Sequence, residues 1–111
     1  MDGRSLTQLG EDHLAKAKAS SNGRSAETIY GGHEHHMRQT LVALKGGSSL
    51  HEHDAPSEAT LQVLAGDVRL MGVNADTWDL AVGDHLTIPH QRHSLEALSD
   101  AVVLLTVVTG V

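Results

Sequence analysis

From Thr28 onward, no apolar run outlasts a strand before a turn signal cuts it. The runs "TIYGG", "MRQTLVALKGG", "LHEH", "TLQVLAGDVRLMGV", "DTWDLAVGDHLTIP", "HSLEALSD" and "AVVLLTVV" are punctuated by Gly-Gly, Gly-Asp, Asn-Ala-Asp, Val-Gly-Asp and Ser-Asp. No segment in this region holds a helical stripe long enough to compete. Short strands at such spacing predict an all-β sandwich or barrel. The available side chains agree. There is no Phe, one Trp (Trp78) and one Tyr (Tyr30), so the core must come from Val, Leu, Ile and Ala. The β-branched members of that set pack well on a pleated surface.

The segment before Thr28 reads differently. Leu6, Leu9, Leu14 and Ala17 fall near helical spacing, and Ser5 can cap the first turn, which predicts a helix over Ser5 to Ala19. Gly10 weakens it. The stretch "SSNGRS" at 20–25 then breaks the pattern with Asn22-Gly23. The chain divides into a helix and linker over 1–27 and a β-barrel over 28–111. One helix cannot make a core alone, so it is expected to pack outside the barrel or on a twin subunit.

Composition removes several function classes. A length of 111 residues suits one modest core. A net charge of −6 with no basic cluster argues against nucleic acid as a partner. No apolar run reaches membrane-spanning length, and the N-terminus lacks the apolar core of a secretory signal. The absence of Cys removes disulfides and thiolate ligands. Cytoplasmic placement is the default expectation. Nine His residues are the anomaly.

The pair His51 and His53 would share one face of a regular strand, with Glu52 pointing away. Alone, such a pair fits two solvated histidines at a strand edge. Further along come Glu58, Gly66-Asp67, Gly83-Asp84, Pro89 and His93. Together these resemble the two motifs of the cupin superfamily, roughly G-x5-HxH-x3–4-E-x6-G and G-x5-PxG-x2-H-x3-N. The resemblance covers about residues 40 to 108. It implies a double-stranded β-helix, the jelly-roll-like barrel, of six to eight strands with a metal inside. It implies His51, His53, Glu58 and His93 as ligands of a divalent transition metal. Imidazole suits Fe, Zn, Ni and Cu, and a carboxylate keeps Mn in play.

The departures from the motifs matter. Seven residues separate Glu58 from Gly66, where the family has six. Counting forward from His53 places Glu58 in the carboxylate position; counting back from Gly66 places Ala59 there. A shift of one residue turns a strand side chain to the other face. Glu58 therefore faces inward only if a bulge absorbs the extra residue; otherwise Ala59, Leu61 and Val63 face inward. In the second motif Gln91 replaces Gly, His93 follows Pro89 one residue early, and Glu96, three residues on from His93, stands beside the Asn slot.

Three polar residues are candidate substrate contacts: Gln62, Gln39 and Tyr30. Gln62 shares a face with Glu58, so the two stand or fall together. His33, His35 and His36 form a second cluster, read as an exposed edge before a rim contribution or second metal site. His90, His13 and His85 read as solvated, and Trp78 as a core or dimer contact. His36 and Glu96 are the remaining candidates for a general base.

The expected activity is that of a metal-binding cupin, acting on a mostly apolar small molecule. Dioxygenase and isomerase or lyase chemistry both stay open. So does a non-catalytic ligand-binding or sensor role. A homodimer is the expected assembly, since symmetric dimers are the commonest.

Overall fold

The computed structural model describes residues 3–53 and 58–109. Helix α1 spans Leu6–Ala19. Nine strands follow among the described residues: β1 Arg24–Tyr30, β2 Met37–Leu44, β3 Ser49–His53, β4 Glu58–Ala65, β5 Val68–Met71, β6 Thr77–Leu80, β7 His85–Thr87, β8 His93–Ala97 and β9 Ala101–Val108. They form a five-stranded sheet, ordered β1-β2-β9-β4-β7, and a four-stranded sheet, ordered β3-β8-β5-β6. Every pairing is antiparallel. This is the expected all-β jelly-roll architecture with a short N-terminal helix. Strand β1 starts at Arg24, inside the segment expected as linker.

Period-two alternation sets the barrel core. In β8, His93, Leu95 and Ala97 are buried; in β4, so are Ala59, Leu61 and Val63. These meet Val42, Leu44, Val68, Leu70 and Val103 between the two sheets. Leu44 and Leu70 are essentially sealed from solvent, each contributing on the order of 2 kcal/mol through burial. Trp78 packs against this cluster, which makes it a core contact.

Two stretches do not alternate. Leu41–Leu44 and Ala101–Leu104 are buried without a break. Their inward members line the barrel. Leu41, Ala43 and Val102 instead meet Leu6, Leu9, Leu14 and Ala17 of α1. A strand covered on both faces reads as a continuous apolar run, which explains "TLVAL" and "AVVLL". Gly10 fits the same contact: a Cβ there would lie 3.2 Å from Val102 Cγ1, so its absence lets helix and sheet approach. Ser5 caps the helix as expected, its Oγ accepting from the Gln8 N–H at 3.1 Å.

The barrel has two unlike ends. At one, the β2–β3, β4–β5 and β8–β9 turns are stitched together. Gly46 N donates to Asp100 Oδ1 at 2.8 Å, and Leu98 N to Asp67 O at 2.9 Å. The antiparallel registers then gather the start of β2, the end of β9, the start of β4, the end of β3 and the start of β8 at the other end, the mouth. No helix among the described residues is long and apolar enough to cross a membrane.

The β5–β6 hairpin carries a local cost. Asn74 and Ala75 both adopt positive φ, 55° and 64°. Asn tolerates this region; Ala is disfavoured there by roughly 1–2 kcal/mol. Ala75→Gly is therefore expected to raise stability by about 0.5–1 kcal/mol, part of the relief being lost to unfolded-chain entropy. A urea midpoint that falls in this variant would contradict the assignment.

Candidate metal centre and barrel mouth

His93 opens β8 on the inner face and is only 3% exposed. Its Nδ1 lies 2.9 Å from the Gln91 carbonyl oxygen. A carbonyl only accepts, so Nδ1 carries the proton and the neutral ring has its lone pair on Nε2. Metal-binding imidazoles are commonly oriented in this way, by a backbone acceptor on the second nitrogen.

The backbone register pairs His53 with His93 across β3 and β8. The His53 side chain lies outside the described residues. Leu50 pairs with Leu95, and the register then slips before His53. Two residues, His51 and Glu52, thus oppose Ser94 alone, as in a β-bulge. Regular alternation, on which the shared face of His51 and His53 depended, is broken here. His51 is exposed, and Glu52 is exposed and ion-paired with Arg92.

Glu58 is exposed, while Ala59, Leu61 and Val63 are buried. Of the two registers left open by sequence, the one with Ala59 inward is present. A bulge does occur in β4, but between Val63 and Ala65. Alternation from Val63 back to Glu58 is uninterrupted, so the carboxylate stays outside. Gln62 goes with it and is also exposed.

Gln39 shares the outer face, since its β9 partner Thr106 pairs in turn with Thr60. Its Nε2 donates to Thr106 Oγ1 at 3.2 Å. Tyr30 pairs in register with Gln39 and is 46% exposed. Both line an outer-face cleft of about 250 Å³ with Arg4, Leu6 and Ile29. None of Gln62, Gln39 and Tyr30 therefore converges on His93. Glu96 sits between the buried Leu95 and Ala97, so its carboxylate faces away from the barrel as well.

The space beside His93 is small. Val42, Leu50, Leu61, Leu70, Ile88, Leu95, Val103 and Leu105 join it in lining about 20 Å³. This is about one water's room. Among the described residues, no group of three or more His, Asp or Glu is placed to hold a cation.

Two placements escaped the sequence reading. His13 is not solvated but 5% exposed between α1 and β1. Its Nδ1 lies 2.6 Å from Ser25 Oγ and its Nε2 2.9 Å from Glu27 Oε1. The signal was present: Leu6, Gly10, His13 and Ala17 follow helical spacing, and the last three are buried. The second residue is Arg38, whose β9 partner is Val107. Val107 packs against the barrel core, so Arg38 takes an inner-face position at the mouth. His85 and His90 are exposed, as expected.

No protein-family model and no curated protein matches the chain. Solved structures do resemble it. An RmlC-like cupin protein from Desulfovibrio desulfuricans superimposes with a TM-score of 0.72 at 19% identity, covering 97% of this chain and 96% of that one. A conserved protein of unknown function from Streptococcus pyogenes gives a TM-score of 0.72 at 22% identity, covering 83% and 79%. A salicylate 1,2-dioxygenase variant from Pseudoaminobacter salicylatoxidans, in complex with gentisate, gives 0.76 at 16% identity, covering 93% of this chain and 32% of that one.

Proposed function

We propose, from the premise that this chain has the cupin fold, that the mouth of its barrel binds a divalent transition metal and a small molecule. The observation that carries the reading is the buried His93. A buried imidazole with its Nδ1–H given to a backbone carbonyl is held as metal-binding imidazoles commonly are. His53 is its register partner, and His51 adjoins at the bulge. With Glu58 outside, the donor set is imidazole alone. Such a set suits Fe, Cu, Zn or Ni better than Mn, which favours oxygen ligands. A bound cation there would supply Lewis-acid polarisation of a coordinated oxygen.

The protein's own residues narrow the chemistry. The inner face has no carboxylate from Glu58 or Glu96 to act as a base. Carboxylate-based isomerisation or elimination is therefore the less favoured reading, His36 being the base candidate that remains at the mouth. The likeness to a dioxygenase solved in complex with gentisate supports a small-molecule ligand. The non-catalytic binding role has support of its own in the 20 Å³ of interior space, too little for a substrate to enter fully.

Elemental analysis of untagged protein tests the metal. Stoichiometric metal is expected in the wild type, lost in His93→Ala and unchanged in Glu58→Ala. Metal retained in His93→Ala, or absent from the wild type, would sink the reading.

A further inference from the structure

A second polar cleft, of about 310 Å³, lies at the mouth between the β1–β2 loop and the end of β9. We infer that it is a binding site for a small carboxylate anion, held by Arg38 and the Nε2–H of His35. The inference does not require a metal at His93.

The protonation pattern of the two histidines decides between anion and cation. Gly32 N donates to His35 Nδ1 at 3.1 Å, and His35 N donates back to Gly32 O at 3.1 Å. A nitrogen that accepts an N–H carries no proton itself. Neutral His35 is therefore protonated on Nε2 and offers a donor there. The ring of Tyr30, 5.1 Å away centroid to centroid, buttresses it. His36 is the opposite case. Its Nδ1 faces the Thr109 carbonyl at 3.2 Å and must donate, which leaves a lone pair on Nε2. Thr109 N in turn donates to His36 O at 2.8 Å.

A cation needs several lone pairs to converge, and His35 has spent its own on Gly32. An anion needs donors, and His35 supplies one beside a guanidinium. Arg4, Arg69 and Arg92 each carry a carboxylate partner, whereas Arg38 has none among the described residues. A guanidinium fork matches a carboxylate geometrically. The hydrogen bonds of the loop to its own backbone and to Thr109 form the cleft before any ligand arrives. The opposing charge is Glu34, which lines the cleft, lies 3.6 Å from His35 Nδ1 and is 77% exposed. It does not pair with Arg38, and its exposure screens it.

The experiment is a malonate titration followed by amide and imidazole NMR shifts, run in the His93→Ala background so that the barrel cannot contribute. Saturable shifts are expected at Gly32, Arg38 and Thr109 and at the His35 ring. Arg38→Gln should weaken binding by roughly tenfold or more, the loss of a charge-assisted pair. Glu34→Gln should tighten it. No saturable shift, equal affinity in Arg38→Gln, or shifts at both histidine rings with zinc in place of malonate would overturn the inference. Failure of metal binding at His93 leaves this result untouched, so the two readings fail separately.

Discussion

Gly66→Ala is expected to destabilise the protein by roughly 3–5 kcal/mol, near the upper end for a single substitution. Two effects add. Gly66 has φ +73°, where an L side chain costs about 1–2 kcal/mol. A Cβ there would also sit 2.1 Å from the Asp100 carbonyl oxygen and 2.9 Å from Ala101 Cα. Both are backbone atoms and cannot rotate away. Moving them would pull on the Gly46–Asp100 and Leu98–Asp67 hydrogen bonds that close this end of the barrel. Gly83→Ala separates the two effects. Its φ is +89°, but a Cβ would meet nothing within 4 Å. It should show the backbone cost alone. Urea denaturation of both variants measures the difference, and equal midpoints would refute the steric account.

His13→Ala is expected to cost about 2–3 kcal/mol, the range for a well-packed buried side chain whose loss strands hydrogen-bond partners. The histidine fills the α1–β1 contact and bonds Ser25 and Glu27. The effect should also change with pH, in a direction that follows from Glu27. The hydrogen bond from His13, and next that from Arg4, hold the Glu27 carboxyl below its ordinary value of 4.5. A depressed carboxyl pKa means that the unfolded chain takes up the proton first as pH falls. The associated stability is complete above about pH 4.5 and is lost below it. The gap between wild type and His13→Ala should therefore be widest near neutrality and shrink on acidification. A gap that stays constant through and below pH 4.5 would show that the contact acts through packing alone.

Local chemistry was legible because it is read within one element. Ser5 and the stripe of Leu6, Leu9 and Leu14 specify α1 through capping and periodicity, and the turn dipeptides specify where strands stop. The two-sided burial of Leu41–Leu44 and Ala101–Leu104 is visible as unbroken apolar sequence. His93 is legible through its spacing from Pro89. The facing of Glu58 was not, because it turns on which residues between His53 and Gly66 absorb a one-residue excess. That choice is made by the β4–β9 register, where Val63 pairs with Val103 and the slip falls after it. His51 is the same problem at the β3–β8 bulge.

By itself, then, the sequence determined the helix, the strands and the presence of a histidine at the barrel mouth, since capping, turn geometry and alternation act over a few residues. Tertiary structure decided which side chains reach the interior. It buried His13 against Glu27, kept Glu58, Gln62 and Gln39 on the outer face, and brought Arg38 to the mouth beside His35 and His36. Those outcomes depend on cross-strand register and on packing between elements distant in sequence, and a single misplaced residue reverses each of them.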